Sequence, residues 1–178
     1  TVPTALSTVM APRIASNMAK KNIDMVNEYM CKTYEALLLI AMPLGVGIFC
    51  TSNMIVPWFL GEQYYKVITL LKIFSIIIPI IALSNASGAQ YLIQAREEKV
   101  YTKSVFLGAI VNFGLNLLMI PRMASVGAAI ASVIAEFSIL FYQMLYICKK
   151  NRTLKLKQLF NNLWICIISC MCMTLIVM

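Results

Sequence analysis

The sequence predicts an all-α protein whose helices form a bundle across a membrane. Of its 178 residues, 61% are hydrophobic and only 12% are charged, and the mean hydropathy is +0.82. A soluble domain does not reach such values because its surface must be largely polar. Long apolar runs recur along the chain, and runs that satisfy their own backbone groups in lipid are helical. The chain is therefore predicted to be a polytopic membrane protein.

Four complete transmembrane helices are predicted from the lengths of the apolar runs. A helix needs about 20 apolar residues to cross the roughly 30 Å hydrocarbon core. The runs that approach or exceed this length lie at about 34–60, 67–94, 104–121 and 125–148. A partial helix is predicted at about 1–18.

The end of the chain is predicted to hold a surface helix and a partial span. Within 152–163, apolar residues recur at helical spacing among lysines and amides, which is typical of a helix on the inner membrane surface. The alternative is that these residues are the first turns of the span at about 160–178. Since that span stays apolar to its last residue and the chain begins with Thr1 rather than Met, we expect a fragment of a longer protein.

The basic residues predict which loops face the cytoplasm. They concentrate in three alternate loops, at 17–33, 95–103 and 149–158, and are sparse in the loops between them. Membrane proteins carry an excess of Lys and Arg in their cytoplasmic loops, so these three loops are predicted to be cytoplasmic. The net charge of +8 is then explained by topology and by contact with anionic lipids. No nucleic-acid partner is required.

The sequence excludes several kinds of catalytic and metal site within this chain. There is no histidine, so neither a His-bearing zinc site nor a Cys–His or Ser–His catalytic pair can form. Five of the six cysteines lie in or at the ends of apolar runs, Cys31 lies in the polar loop 17–33, and no CxxC occurs. We therefore expect buried free thiols and no metal site. The chain is also predicted to have no cofactor and no enzymatic activity.

The predicted span 104–121 carries small and polar residues in one row. Intervals of four residues, which keep side chains on one helix face, separate Ser104, Gly108, Asn112 and Asn116. Interhelical amide hydrogen bonds are common in membranes and contribute about 0.6 kcal/mol on average. A packing role and a functional role are therefore both open for the two asparagines.

The predicted span 125–148 carries a similar row that contains a carboxylate. Ser132 and Glu136 lie four residues apart, and Gln143 follows nearly two turns later. An ionised side chain at the bilayer centre costs at least ~2.5 kcal/mol on insertion scales. Because Glu136 is the only acidic residue well inside a predicted span, its position favours a functional role. Small residues on a neighbouring face form a ridge suited to close helix packing: Gly127, Ala131 and Ala135.

Further polar residues lie near the inner ends of other predicted helices. Asn85 and Gln90 occur in the segment SNASGAQYLIQ at 84–94, and Arg13 occurs in MAPRIAS at 10–16. Two interpretations of Arg13 stay open. It is either a functional cation within the membrane or a side chain that reaches to the inner interface.

Four segments occur in an order found in one family of membrane proteins. They are VMAPRIAS at 9–16, MPLGVGIFCTSNMIVPWFLGEQY at 42–64, NASGAQYLIQAREEK at 85–99 and GAIVNFGLNLLMIPRMASVGAAIASVIAE at 108–136. In these segments the chain resembles the C-terminal half of the polysaccharide-biosynthesis flippases. These are the Wzx-type O-antigen and capsule-repeat transporters of the multidrug/oligosaccharidyl-lipid/polysaccharide exporter superfamily. Where such proteins often carry FGxxGAA after the proline, this chain has RMASVGAA.

The resemblance implies a fold and a transport activity. The fold has two lobes of six helices around a cavity that opens alternately to each side of the membrane. This chain would supply part of the C-terminal lobe, from the end of helix 8 to the start of helix 13. The implied activity moves an undecaprenyl-diphosphate-linked oligosaccharide from the inner to the outer leaflet of the bacterial cytoplasmic membrane, for O-antigen or capsule assembly.

The resemblance also suggests roles for the polar residues. The amides suited to hydrogen bonds with sugar hydroxyls are Asn85, Gln90, Asn112 and Asn116. Arg13 is the candidate contact for the diphosphate, and Glu136 is the candidate for coupling to a proton or sodium ion. Other expected partners are the lipid bilayer, a polysaccharide polymerase and further assembly proteins.

Three other functions stay open from the sequence alone. One is a cation-coupled multidrug exporter of the same superfamily. Another is a membrane glycan polymerase or ligase, against which the short predicted outer loops at about 61–66 and 121–125 argue. The last is a scaffold of the same fold that transports nothing.

Overall fold

The computed structural model describes residues 2–20 and 22–150, together with Met171, Met173 and Thr174. Four α-helices occupy most of these residues: α1 Val2–Ala19, α2 Ile23–Leu60, α3 Tyr65–Asn85 and α4 Glu98–Lys150. A short 3₁₀ helix precedes α3 and a π helix continues it, at Glu62–Tyr64 and Ala86–Leu92. The described residues contain no strand, and the predicted all-α class is confirmed.

Three stretches of the described chain are long and apolar enough to cross a membrane. They are Ile23–Leu60, Glu62–Leu92 and Glu98–Lys150. The first two form one antiparallel hairpin, and the third folds back on itself to form a second. The two hairpins, with α1 packed against α2, make the bundle.

The α2–α3 hairpin keeps a single register along its length. Tyr34, in the first half of α2, contacts Ser87, and Lys72 lies over the ring of Phe49 in the second half of α2. Between them, a Cβ added to Gly45 would lie 2.8 Å from the carbonyl oxygen of Ser75. Only glycine lets the two backbones approach this closely.

The α4 hairpin turns at Ala124, whose backbone is non-helical with φ 49° and ψ −126°. The first arm, 98–123, then lies antiparallel to the second arm, 125–150. A Cβ added to Gly127 would lie 2.6 Å from the carbonyl oxygen of Met119, so the arms already touch just beyond the turn. Ala131 and Ala135 continue this buried face, as the predicted small-residue ridge requires.

The link between the hairpins is a Schellman turn centred on Arg96. The amide of Glu97 donates to the carbonyl of Leu92 at 2.8 Å, and the amide of Arg96 donates to the carbonyl of Ile93 at 3.0 Å. Arg96 adopts φ 58°, the left-handed conformation that this motif requires. The turn ends the α3 segment and redirects the chain into α4 within five residues.

The buried core lies toward the end of the bundle that carries most of the loop lysines and arginines. We call this end, at residues 20, 22, 93–97 and 149–150, the basic end. We call the opposite end, at 61–64 and 124, the turn end. Every long helix contributes to the core cluster, whose members include Ile14, Met30, Tyr34, Leu37, Ala86, Leu92 and Ile147. Large apolar side chains nearer the turn end, such as Trp58 and Phe113, are exposed, as lipid-facing residues are.

Two predicted loops are shorter in the structure than the sequence suggested. Residues 17–33 were expected to form a loop, but α2 begins at Ile23, and the side chain of Asn22 accepts a hydrogen bond from the amide of Met25. Cys31 consequently lies buried in a helix and not in a polar loop. The charged residues here, Asp24, Glu28 and Lys32, lie on the exposed face of an amphipathic helix whose other face packs on the core. Likewise, α4 begins at Glu98 within the predicted loop 95–103.

Some predictions concern residues outside the described part of the chain. The surface helix at 152–163 lies wholly outside it. The partial span at 160–178 is described only at Met171, Met173 and Thr174. Met173 packs against α2, because its Cε would lie 2.7 Å from a Cβ added to Gly47. The division of the chain into complete and partial spans stays a prediction.

Replacing Ala124 with glycine is expected to stabilise the protein. Positive φ with ψ near −126° is a conformation that a Cβ disfavours, and such strain typically costs about 1–3 kcal/mol. Relief of the strain outweighs the smaller entropic cost of glycine in the unfolded chain. We expect a gain of about 1 kcal/mol in the free energy of unfolding, measured by SDS titration of the full-length protein in mixed micelles.

The matched control is Ala109→Gly, at an exposed position within the first arm. Its helical backbone gains nothing from glycine, so we expect a loss of about 1 kcal/mol. A loss of stability on Ala124→Gly, similar to that of the control, would contradict a strained turn.

Candidate functional site

A cluster of buried polar side chains joins the two hairpins in the half of the bundle nearer the basic end. The Gln143 side chain connects α3 with both arms of α4: its Nε2 donates to Ser104 Oγ at 3.0 Å, and its Oε1 accepts from Ser84 Oγ at 3.5 Å. The hydroxyls of Tyr34 and Ser87 lie 2.9 Å apart. All five residues are buried. Because each polar group has a partner, the cluster fixes how the hairpins pack.

The π helix provides the space for this cluster. The amide of Ile93 bonds to the carbonyl of Gly88, five residues earlier, at 3.1 Å, which widens the helix locally. A Cβ on Gly88 would lie 2.6 Å from a ring carbon of Tyr101 and 3.0 Å from Gln143 Nε2. Glycine therefore lets the first hairpin approach both arms of the second. Gln90, also on the π helix, is 1% exposed.

A second cluster of polar side chains, which we call the amide seam, links the two arms of α4. Asn116 Nδ2 donates to Asn112 Oδ1 at 2.7 Å, and Asn112 Nδ2 donates to Ser132 Oγ at 3.4 Å. Ser132 Oγ in turn donates to the carbonyl of Ala128 at 3.0 Å. Within the described residues, the buried Oδ1 of Asn116 accepts no hydrogen bond. The seam is half-buried and retains one unused acceptor.

Glu136 lies near the middle of the second arm. At 1.5 Å per residue it is about 18 Å along the helix from Ala124 and about 21 Å from Lys150. The residue is half-buried. Among the residues that the structure describes, it has no hydrogen-bond or ion-pair partner. A carboxylate at this depth, without a fixed partner, is able to bind a proton or a cation.

The structure does not gather all the predicted site residues into one cavity. It brings Asn112, Asn116 and Ser132 together. Arg13 and Asn85 are exposed on other helices, where the backbone carbonyl of Arg13 accepts a bond from Asn17. The roles proposed for these residues remain predictions.

The hydrogen bonds that Gln143 and Tyr34 make with other helices were not predicted from the sequence. Gln143 lies two turns from Glu136 on the second arm, and its side chain bonds to Ser104 and Ser84. Tyr34 and Ser87 are 53 residues apart, and no local pattern connects them. The small and polar residues of segment 84–94 were the available signal, since they indicate close packing around buried hydrogen bonds.

At the basic end, an ion pair joins Glu97, which precedes α4, to Lys150, the last residue of α4. Lys150 Nζ donates to Glu97 Oε1 and lies 5.9 Å from the ring centre of Tyr146. The hydrogen bond from Lys150 lowers the pKa of the Glu97 carboxyl below its ordinary value of 4.5. The same bond raises the pKa of Lys150 above its ordinary value of 10.5. Both shifts favour the charged pair that holds the arms together.

These features define a class: a polytopic helical membrane protein built from antiparallel hairpins with polar groups inside the membrane. The profile of the family "Lipid II flippase MurJ" matches residues 2–178. The chain belongs to this family.

One curated relative is a longer membrane protein. An uncharacterized membrane protein of Methanocaldococcus jannaschii is 26% identical over 137 residues, which make up 77% of this chain and 26% of that protein. The chain thus spans about a quarter of the length of the relative. No solved structure matches this chain.

Replacing Ser132 with alanine is expected to weaken the contact between the two arms of α4. The variant leaves Asn112 Nδ2 without its partner on the second arm. Ser138→Ala is the matched control, because Ser138 Oγ bonds only to the carbonyl of Ile134 one turn earlier. We expect Ser132→Ala to lower the free energy of unfolding by about 0.6 kcal/mol more than the control, measured by SDS titration. Equal losses would contradict a hydrogen bond between the arms.

The ion pair at the basic end predicts a pH dependence of stability. Because the folded-state pKa of Glu97 is lowered, its contribution is complete above its ordinary pKa and disappears as the pH falls through the lower, folded-state value. Lys150 has a raised pKa, so its contribution is complete below pH 10.5 and is lost only as the pH rises through the folded-state value. The full-length protein should therefore melt at a higher temperature than Glu97→Gln at neutral pH. This difference should vanish in acid.

The control is Glu28→Gln, which removes an exposed pair between Glu28 and Lys32 within one helix. Such pairs contribute little, so its melting temperature should follow that of the unmodified protein at every pH. A difference between Glu97→Gln and the unmodified protein that persists in acid would contradict the proposed role of the Glu97 charge.

Proposed function

We propose that the full-length protein moves an undecaprenyl-diphosphate-linked oligosaccharide from the inner to the outer leaflet of the bacterial cytoplasmic membrane. The observation that carries the proposal is the match to the lipid II flippase family over residues 2–178. The hairpins support it, because they hold half-buried amides and a carboxylate within segments long enough to cross the membrane, where polar side chains in contact with lipid are costly. In this proposal the protein transports its substrate and does not modify it.

Two substrates share the chemistry that such a transporter must handle. Both consist of a saccharide joined through a diphosphate to a polyprenyl chain. The name of the matching family indicates lipid II, whereas the four ordered sequence segments favour a repeat unit of O-antigen or capsule. We propose the repeat unit first and keep lipid II as the second candidate.

The polar residues have different access to such a substrate. In the half-buried amide seam, the Oδ1 atom of Asn116 is itself buried, so it would accept a bond from a sugar hydroxyl only if the two arms of α4 separated. Asn85 and Arg13 are exposed, so they are able to contact a saccharide and a diphosphate directly. Gln90 is nearly enclosed and would reach a substrate only if the helices around the π helix separated.

The proposed activity is tested with the full-length protein in sealed liposomes. The vesicles contain fluorescent undecaprenyl-diphosphate carrying either an O-antigen-type repeat unit or the lipid II headgroup, and a membrane-impermeant quencher reports the leaflet. We expect faster transbilayer movement than in protein-free vesicles. Movement of neither lipid would refute the flippase proposal and favour a scaffold. Movement of lipid II alone would refute the repeat-unit assignment, and efflux of organic cations alone would favour a drug exporter.

Replacing Glu136 with glutamine is expected to abolish coupling without unfolding the protein. The amide keeps the size of the side chain but removes the charge that would bind a proton or sodium ion. We expect the movement of the lipid-linked saccharide to lose its dependence on an imposed ion gradient. Glu98→Gln, at the exposed start of the same helix, is the control and should retain that dependence. Unchanged gradient dependence in Glu136→Gln would refute the coupling role.

A further inference from the structure

The exposed face of the α4 hairpin carries an open groove between its two arms. Two adjoining cavities of about 360 and 500 Å³ share Leu107 and Tyr142 and so run into one another along the helices. Most of the remaining wall is contributed by Phe106, Ile110, Val111, Phe137, Phe141 and Leu145. The groove is therefore lined almost entirely by apolar side chains.

The wall of the groove suits a hydrocarbon chain. The rings of Phe137 and Phe141 stack with their centres 6.2 Å apart and their planes 17° from parallel, which gives a firm edge. Ser138 also faces the groove, but its hydroxyl donates to the carbonyl of Ile134 at 2.8 Å. This internal bond satisfies its donor and lowers the cost of contact with hydrocarbon.

The length of the groove matches one leaflet of a bilayer. From Thr102 to Val111 the first arm rises about 14 Å, at 1.5 Å per residue. The hydrocarbon core of a bilayer is about 30 Å thick, so the groove covers about half of it. Its Thr102 end lies toward the basic end of the bundle.

A polar and positively charged group closes that end of the groove. Thr102, Lys103 and Tyr142 line the same cavity, and Lys103 has no ion-pair partner among the described residues. In the part of the chain that the structure describes, the hydroxyls of Thr102 and Tyr142 also have no hydrogen-bond partner. One cation and two hydroxyls are therefore available to bind a phosphate.

We propose that the groove binds an anionic phospholipid from the leaflet at the basic end. One acyl chain lies along the arms, and the phosphate contacts Lys103, Thr102 and Tyr142. Charge complementarity selects an anionic headgroup, and the one-leaflet depth selects a chain of phospholipid length. Met173, one of the three described residues beyond Lys150, lies away from the groove, against Gly47 on α2.

Native mass spectrometry of the full-length protein tests this proposal. The protein is released from micelles that contain equimolar phosphatidylglycerol and phosphatidylcholine with identical acyl chains. We expect one retained phosphatidylglycerol per protein in clear excess over phosphatidylcholine. Lys103→Gln should lower the phosphatidylglycerol occupancy about fivefold. Lys66→Gln, at an exposed position near the turn end, should leave it unchanged.

A second variant tests the groove separately from the charge. Ile110→Trp fills the groove while Lys103 stays in place, so retention of both phospholipids should fall. Leu118→Trp is the control, because Leu118 is exposed on the same arm but lies outside the groove. Equal retention of the two phospholipids, or unchanged retention in Lys103→Gln, would overturn the proposal. Displacement of phosphatidylglycerol by equimolar undecaprenyl phosphate would also overturn it and assign the groove to a polyprenyl chain.

Discussion

Close approach between helix backbones is the constraint on which the rest of the structure depends. In a bilayer the lipid tails are as apolar as the side chains, so helices associate through packing and polar contacts and not through hydrophobic burial alone. At Gly45, Gly88 and Gly127 a single added carbon would collide with a neighbouring carbonyl or ring. These contacts set the register of both hairpins. The register in turn decides that Tyr34 meets Ser87 and that Asn112 meets Ser132.

The two polar clusters inside the bundle, the one around Gln143 and the amide seam, differ in how fully their hydrogen bonds are satisfied. Around Gln143, the side chains bond to one another between α3 and both arms of α4 and are shielded from the surroundings. In the amide seam, the side chains are half-buried and Asn116 keeps an unused acceptor. Complete satisfaction specifies one packing arrangement, whereas the buried Oδ1 of Asn116 would reach a ligand only if the two arms of α4 moved apart. The cluster around Gln143 therefore suits a structural role, and a transport role for the amide seam stays a proposal.

Local spacing predicted much of the second hairpin but less of the first. Intervals of four residues placed Asn112 with Asn116, and Gly127 with Ala131 and Ala135, as the structure has them. The tight turn of the α4 hairpin falls in the segment where the chain departs from the glycine-containing pattern, and its strain is visible only in the backbone angles of Ala124. Helical periodicity reports such features because they depend on neighbours along one helix.

Contacts between distant segments could not be read from the same patterns. Tyr34 meets Ser87, and Glu97 meets Lys150, because two hairpins fold in a particular register, which no single helix specifies. The start of α2 was missed for a different reason. Its first turns are polar on the outer face, and composition alone made residues 23–33 look like a loop although Val26, Met30 and Leu37 share the buried face.

The depth of Glu136 also has an electrical consequence. A proton or cation that reaches this carboxylate from either side crosses about half of the membrane. Moving one elementary charge across a full potential of 100 mV corresponds to about 2.3 kcal/mol, so half of the field corresponds to about 1.2 kcal/mol. Occupancy of the carboxylate would then respond to membrane voltage as well as to ion concentration, and an energised membrane would load it preferentially from the positive side.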